Sequence, residues 1–204
     1  MDSPFSMLSD FIMKLGGNNL NENDAMTLTD SMLRTMEFEG GHKDKVYLDS
    51  EGYPTIGIGH LLDTLKYQTL PDKYKDIIWS ESQGITTFLQ DYLEKEERTM
   101  SKFGKKEFNK MPDDAKGVLV DLSFNMGVKK LFDKFPGFIK DLKKGNYADA
   151  AQELRYKNPD KGNFDMSLWF DQVGGDTTEE ENLVRSGNRA TSAYDILTSL
   201  GNKK

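Results

Sequence analysis

The 204-residue sequence contains no cysteine and only two histidines, so it lacks the side chains on which many structural and catalytic centres depend. Without cysteine, neither disulfide bonds nor thiolate metal sites can form. The two histidines, His42 and His60, do not form a close pair, so a histidine-based transition-metal site is not expected. We therefore expect no metal and no cofactor.

Long apolar runs are absent as well. No stretch approaches the roughly 20 apolar residues of a membrane-spanning helix. Residues 4–15 are apolar at helical spacing but include Asp10 and Lys14 and lack a small-residue cleavage site. We expect neither a secretory signal nor a stable membrane association. An amphipathic helix docked on the body is the favoured interpretation. A membrane-surface or partner-binding helix is the alternative, although its polar face lacks the usual lysines and arginines.

The chain also lacks an excess of positive charge, since its net charge is −7. Non-specific nucleic-acid binding depends on cations that neutralise phosphates, so nucleic acid is not an expected partner. The charge is uneven: residues 101–150 hold eleven lysines against seven acids, whereas residues 1–100 hold eighteen acids against nine cations. Solvated helix faces are the simpler explanation. A lysine-rich surface for an anionic polymer is the alternative.

Apolar residues at helical spacing dominate the sequence and predict an α+β fold that is mainly helical. We expect a small lobe with a β-hairpin sheet, a long connecting helix capped by Ser80 or Ser82, and a larger all-helical lobe. Helices are predicted from His60 to the end of the chain, and a cleft between the lobes is a common place for a ligand. The expected divisions are an extra N-terminal helical segment (1–30) and a main domain (31–204), comprising hairpin lobe 31–84, connecting helix 85–103 and helical lobe 104–204.

The β-hairpin is predicted around a turn that contains Gly52 and Pro54. Successive side chains of a strand point to opposite faces of a sheet. If the apolar residues of both strands face the core, Tyr47, Asp49 and Thr55 share the opposite, open face. The glycines on that face leave room for another group to approach closely.

Glu39, Asp49 and Thr55 form a set that suits glycoside hydrolysis. One carboxyl group gives a proton to the leaving oxygen, so it must be protonated, and partial burial favours that state. The second acts from the opposite side, and in inverting enzymes it holds a water at a carboxyl separation of roughly 6.5–9.5 Å. Spacing alone does not decide the matter, because two acids and a threonine are usually just solvated surface residues.

A longer motif resembles the signature of the phage-type lysozymes, glycoside hydrolase family 24. It consists of Glu39-Gly40 followed by Tyr47-x-Asp49-x-x-Gly52-x-x-Thr55-Ile56-Gly57-Ile58-Gly59-His60. Further similar pieces follow in the same order, and together they cover about residues 32–200: Ser123-Phe124-Asn125-Met126-Gly127, Trp169, and Arg185-Ser186-Gly187-Asn188-Arg189-Ala190.

The resemblance implies a monomeric, inverting muramidase that cleaves the β-1,4 bond between N-acetylmuramic acid and N-acetylglucosamine of bacterial peptidoglycan. It implies Glu39 as general acid, Asp49 as the carboxylate that activates water, and Thr55 as its positioning partner. The enzyme would be made in the host cytoplasm and reach the cell wall through a holin-type pore or within a particle. A non-catalytic sugar-binding or structural virion module and a lytic transglycosylase remain alternatives.

Five further residues are candidates for contact with the glycan, and Arg189 additionally resembles the family's arginine that meets the catalytic glutamate. They are Glu51, Phe124, Asn125, Ser186 and Arg189. Trp169 is expected either to stack on sugar or to pack in the core. His60 is expected to make a structural hydrogen bond or ion pair rather than to transfer protons.

The sequence departs from the family pattern in two places near these candidates. One extra residue lies between Glu39 and Tyr47, and we expect a bulged loop that leaves the Glu39 side chain in place. About eleven residues, near 174–184, are inserted after the tryptophan and predict an acidic loop.

Overall fold

The computed structural model describes residues 22–173 and 188–202, apart from the side chains of residues 22–29, 158 and 172. The expected helix at 4–15, the acidic insertion near 174–184 and Ser186 lie outside the described residues. The chain divides into two compact units, Met1–Glu94 and Lys95–Lys204. Most of the described residues are helical, and the strands are short, which confirms the mainly helical α+β class.

The first unit contains one long helix, a three-stranded antiparallel sheet with the order β1-β2-β3, a short helix, and the start of a second long helix that continues past the boundary. These elements are α1 (Glu22–Phe38), β1 (Lys43–Leu48), β2 (Pro54–Gly57), β3 (His60–Leu61), α2 (Asp72–Lys75) and α3 (Glu81–Phe103).

Two glycines close helix α1 directly after the candidate acid. The Gly41 N–H donates to Met36 O at 3.4 Å, and the Gly40 N–H donates to Glu37 O at 3.0 Å. These two bonds, with left-handed φ values of 82° and 74° at Gly40 and Gly41, form a Schellman motif. Glycine adopts this backbone at little steric cost. Glu39 is therefore the C-cap residue that directly follows the last helical residue, Phe38.

The sheet buries its predicted apolar face. Val46 and Ile56 are 8% and 0% exposed and form a cluster with Tyr74. Partly buried residues pack against this cluster, namely Leu62, Tyr67, Leu70, Ile77 and Trp79. The alternation of side chains that the sequence predicted for the hairpin is thus confirmed on its core side.

Strand β1 contains an irregularity that accommodates extra chain. Lys43 pairs with Gly57 and Tyr47 pairs with Thr55, so four steps along β1 match two steps along β2. The irregular segment is held on its other side by an isolated bridge between Lys45 and Ile78. Such a bulge bends a strand while the pairing continues beyond it. The irregularity lies within β1, between Lys43 and Tyr47, and regular register resumes at Tyr47.

Helix α3 begins with a capping box at Ser80. The Gln83 N–H donates to Ser80 Oγ at 3.3 Å, and the Ser80 N–H donates to Gln83 Oε1 at 2.9 Å. These reciprocal bonds satisfy backbone donors at the first turn of a helix. Of the two predicted caps, Ser80 is the one used.

The second unit is built mainly of helices. The helix Arg189–Gly201 packs on the helices Tyr147–Arg155 and Asp113–Met126. Its elements after α3 are α4 (Lys105–Phe108), α5 (Asp113–Met126), α6 (Val128–Lys134), α7 (Pro136–Lys144), α8 (Tyr147–Arg155), β4 (Tyr156–Asn158), a 3-10 turn (Pro159–Lys161), β5 (Asn163–Met166), α9 (Leu168–Gln172) and α10 (Arg189–Gly201). In the described part of the chain no helix combines the length and the apolar character needed to cross a bilayer.

Two predictions about the later chain were wrong. The lobe expected to be all-helical contains the antiparallel pair β4–β5, and His60 begins strand β3 rather than a helix. Pro159 cannot continue a helix easily, and Gly162 has a left-handed φ of 74°, so the segment after α8 turns back on itself. At His60, pairing with Ile56 across the three residues Gly57, Ile58 and Gly59 extends the sheet by one short strand.

Candidate active site

Glu39 lies at the end of α1, and its carboxyl group lies directly over the backbone of Gly59. An ideal Cβ placed on Gly59 would be 2.8 Å from Glu39 Oε2 and 3.4 Å from Cδ. Gly59 belongs to the turn between β2 and β3 and has a left-handed φ of 72°. The glycine that was expected to allow close approach therefore admits the Glu39 carboxyl itself.

Asp49 follows β1 and organises the hairpin turn through its side chain. The N–H groups of Glu51 and Tyr53 both donate to Asp49 Oδ1, each at 2.9 Å. Backbone hydrogen bonds close the same turn: the Asp49 N–H donates to Tyr53 O at 3.0 Å, and the Gly52 N–H donates to Asp49 O. One carboxylate oxygen is thus fixed by two backbone donors, which orients the other oxygen, Oδ2.

Thr55 is the second residue of β2, and its hydroxyl donates to Tyr53 O at 3.1 Å. The same carbonyl accepts the Asp49 N–H, so Thr55 Oγ1 and Asp49 N can be no more than about 6 Å apart. Thr55 is only 2% exposed, which corrects the expectation of an open face. Strand β2 is the central strand, and both of its edges are paired.

Tyr47 lies within range of the negative charges of both candidate carboxyl groups. It is half-buried and pairs with Thr55 in the sheet. Burial, followed by the negative charges of Glu39 and Asp49, raises the pKa of Tyr47. Sequence reasoning put Tyr47 on the face of Asp49 and Thr55 but gave it no role, although that shared face was the available signal.

Glu51, a candidate glycan contact, lies in the hairpin turn beside an aromatic side chain. Lys66 Nζ is 2.7 Å from Glu51 Oε2 and 4.9 Å from the centre of the Tyr53 ring. Both charged side chains are more than half exposed, so the ion pair is solvated and contributes little to stability. It instead keeps a carboxylate and an aromatic face together at the surface of the turn.

The two histidines have structural contacts in the first unit. His60 Nδ1 is 2.7 Å from Asp91 Oδ2, and the His60 ring lies 5.4 Å from that of Trp79. This pair confirms the predicted structural role of His60. His42 Nε2 lies 3.3 Å from Trp79 O, so His42 also contributes to packing.

In the second unit, Asn125 and Trp169 are joined directly. The Trp169 Nε1–H donates to Asn125 Oδ1 at 3.1 Å, and its ring meets Phe135 edge to face at 6.1 Å. Trp169 lines a cavity of about 530 Å³ together with several lysines, including Lys130 and Lys134. Trp169 is neither a fully buried core residue nor an isolated surface residue, and its indole N–H is already used.

Arg189 begins α10, where Asn188 caps the helix through bonds from the Ala190 and Thr191 N–H groups. Arg189 is 7% exposed, and its Nε donates to Asp121 Oδ2 at 3.1 Å. A buried charge requires such a partner. Sequence reasoning did not single out Asp121, although an acid within the apolar stripe of α5 is a signal for a buried partner.

Phe124, the other predicted wall residue of this unit, is half-buried, with Lys95 Nζ 5.7 Å from its ring centre. Among the described residues no group of three or more His, Cys, Asp or Glu side chains could hold a metal ion. The candidate catalytic groups of the hairpin and the end of α1 are two carboxyl groups and one hydroxyl group, those of Glu39, Asp49 and Thr55.

Comparisons with known proteins agree with this geometry. The chain is 25% identical over 183 residues to the pre-baseplate central spike protein Gp5 of Enterobacteria phage T4, which covers 82% of this chain and 30% of that protein. It is 24% identical over 161 residues to the probable T4-type lysozyme 1 of Dictyostelium discoideum, which covers 69% of this chain and 94% of that protein. The model of the phage lysozyme family matches residues 36–167, a span that contains Glu39, Asp49 and Thr55. The chain belongs to the phage lysozyme family.

Proposed function

We propose that this chain is a muramidase that hydrolyses the β-1,4 bond between N-acetylmuramic acid and N-acetylglucosamine of peptidoglycan with inversion, and so lyses bacterial cell walls. Membership of the phage lysozyme family supports a peptidoglycan hydrolase. The bond and the stereochemistry are those that the resemblance to the phage-type lysozymes implies, and the hairpin geometry supports the roles of Asp49 and Thr55. The main support is the convergence of Asp49 and Thr55 on the carbonyl of Tyr53.

The attacking water would bind between Asp49 Oδ2 and Thr55 Oγ1. Asp49 Oδ1 already accepts two backbone N–H groups, so Oδ2 is the oxygen left for a water. The Thr55 hydroxyl donates its hydrogen to Tyr53 O, so it can only accept from that water. With one hydrogen donated to each oxygen, the water directs a lone pair at the anomeric carbon, and Asp49 takes the proton as the bond to carbon forms.

Glu39 would protonate the glycosidic oxygen as the bond to the anomeric carbon breaks. The side chain of Glu39 extends from the end of α1, and its carboxyl lies against the backbone of Gly59. The helix end and the turn between β2 and β3 together fix where this carboxyl lies. Attack by water on the side opposite to the departing oxygen inverts the configuration, so the first product is the α-anomer.

The glycan would be held by side chains around these groups. In the first unit the contact is assigned to Glu51, next to the aromatic face of Tyr53. In the second unit it is assigned to Phe124, Asn125 and Arg189, and Ser186 remains a candidate outside the described residues. The cavity beside Trp169, with Lys130 and Lys134 in its lining, is assigned to acidic groups of the same polymer, as positive charge would favour.

Product chemistry tests the function directly. Purified wild-type protein acting on peptidoglycan should release muropeptides with a reducing end, and proton NMR of early product should show the α-anomer. A 1,6-anhydro end would identify a lytic transglycosylase instead. No release of muropeptides at all would favour a sugar-binding or structural module.

Variants test the residue roles. Glu39→Gln and Asp49→Asn should abolish turnover while the melting temperature is largely retained, because each amide keeps the shape and an acceptor oxygen of the side chain, including the oxygen that accepts the two turn N–H groups at Asp49, and removes only the proton-transfer group. Thr55→Ala should lower kcat more than it raises KM, since the hydroxyl acts on the water. Near-normal lysis by Glu39→Gln would refute its role as acid. A change in KM alone for Thr55→Ala would assign that hydroxyl to substrate binding.

A further inference from the structure

The Tyr47 side chain lies on the same face of the sheet as that of Thr55, the candidate partner of the attacking water. Its Cα pairs with that of Thr55 in the β1–β2 ladder, so both side chains lie on one face of the sheet, with Cβ atoms about 4.5–5.5 Å apart. The charges of both Glu39 and Asp49 act on its phenol. Since an acid and a base must flank the bond that they cleave, a side chain beside both lies next to that bond.

The ring of Tyr47 is held while its hydroxyl is left uncommitted. Lys43 Nζ lies over the ring, 4.0 Å from its centre, in a cation–π contact. Within the described part of the chain the Tyr47 hydroxyl makes no hydrogen bond to another protein group. A half-buried hydroxyl on an oriented ring, without a protein partner, is available to a bound molecule.

We propose that the Tyr47 hydroxyl contacts the sugar at the scissile bond as a neutral hydrogen-bond donor between the acid Glu39 and the base Asp49. This inference rests on the proposed function and adds a residue to it. Lys43 is a positioning residue in this arrangement, because its ammonium group covers one face of the Tyr47 ring.

The donor stays protonated under working conditions. Burial, and then the charges of Glu39 and Asp49, raise the pKa of Tyr47 above that of an ordinary tyrosine. A phenol whose pKa is raised keeps its proton to higher pH. The contribution of this hydroxyl to kcat/KM should therefore be constant across the pH range in which activity depends on the protonation of the two carboxyl groups.

The first test is Tyr47→Phe, which removes the hydroxyl and keeps the ring for Lys43. We expect kcat/KM to fall about tenfold, the effect of losing one hydrogen bond in the reacting complex. The loss should be equal from about pH 5 to about pH 9, with the melting temperature unchanged. Tyr147→Phe is the matched control, because Tyr147 is a partly buried tyrosine whose pKa is raised by burial alone, and it should keep wild-type kcat/KM.

Wild-type kcat/KM in Tyr47→Phe would overturn the proposal. A loss of kcat/KM that is explained by a lower melting temperature would overturn it as well. A shifted limb of the pH profile would also overturn it, because that result would make Tyr47 a modulator of the carboxyl groups and not a contact of the sugar. If Glu39→Gln and Asp49→Asn are inactive while Tyr47→Phe is normal, only this inference fails.

A spectroscopic test does not depend on turnover. In Glu39→Gln protein with ¹³Cζ-labelled tyrosine, addition of soluble peptidoglycan fragments should shift the Tyr47 signal and leave the Tyr147 signal in place. Shifts elsewhere without one at Tyr47 would overturn the contact alone. No shift in any signal would overturn the proposed substrate together with the contact.

Discussion

Replacing Gly59 with alanine should impair catalysis through Glu39, because the added methyl group would occupy space next to the carboxyl group. An ideal Cβ at Gly59 would lie 2.8 Å from Glu39 Oε2 and 3.5 Å from its Cγ. Non-bonded heavy atoms are most favourable at about 3.5 Å or more. The carboxyl must therefore retreat by about 0.7 Å or rotate away from the turn.

Two magnitudes follow from this geometry. Gly59 has a φ of 72°, and left-handed backbone costs a residue with a Cβ about 1–2 kcal/mol. For a chain of this size that corresponds to a melting temperature lower by about 2–8 °C. Displacing a catalytic group by up to about 1 Å can lower the rate by up to about 100-fold. The loss of activity should therefore greatly exceed what the loss of stability explains.

Gly145→Ala supplies the matched control. Gly145 has nearly the same φ, 73°, and ends α7 in the other unit with no atom within 4 Å of an added Cβ. Both variants should lose similar stability in thermal denaturation. In turbidity assays well below both melting temperatures, only Gly59→Ala should lose kcat. Equal kcat for the two variants would refute the idea that Gly59 positions the acid.

Two further perturbations test the packing of the first unit. An added Cβ at Gly84 would collide with the His42 ring, so Gly84→Ala should destabilise the wild type but stabilise His42→Ala protein by up to about 1 kcal/mol through helix propensity. Denaturant unfolding of the four proteins measures this, and equal effects in both backgrounds would contradict the contact. Hydrogen bonds from the Tyr74 and Tyr67 hydroxyls hold the pKa of Asp63 well below its usual range, so the stability that they contribute is present above about pH 4 and is lost as the pH falls further. Asp63→Asn should be less stable than the wild type at neutral pH and should lose less stability on acidification. The control Asp72→Asn, at a side chain that is 93% exposed, should show the same pH dependence of stability as the wild type in high salt. If the acid unfolding curves of Asp63→Asn and the wild type run parallel, Asp63 does not have this role.

The hairpin was predictable because its chemistry is local. The turn residues, the period of two and the glycines all lie within about fifteen residues, and each constrains the backbone directly. The side of the sheet that carries Val46 and Ile56 followed from that period, and so did the face shared by Tyr47 and Thr55. Likewise, a Gly-Gly pair after an apolar helical stripe indicates a helix end, which located Glu39.

The burial of Thr55 was not predictable from the same pattern. Alternation tells which side chains share a face, but it does not tell whether a strand is central. That depends on β3, which has only two residues, His60 and Leu61, and lies within a segment whose apolar spacing resembles a helix. The pair β4–β5 was not predicted for a similar reason, because its strands are too short to show an alternation of apolar and polar residues.

Partners distant in sequence were also beyond prediction. Asp121 and Arg189 are separated by 68 positions, and nothing in either local sequence specifies the other. An acid in the apolar stripe of α5 shows only that a buried partner must exist. The link between Trp169 and Asn125, 44 positions apart, has the same character, since both residues were candidates but their contact was not foreseen.

The bulge in β1 changes how members of this family should be recognised. The segment between acid and base contains a register irregularity, in which four steps along β1 match two steps along β2 before regular pairing resumes at Tyr47, so this strand can hold chains of different length. The Glu39 carboxyl lies against Gly59, in the turn between β2 and β3 and outside that irregular segment. A search that fixes the number of residues between acid and base would therefore discard chains such as this one. Anchoring the alignment on the glycine of the second turn, and letting the gap length vary, would retain them.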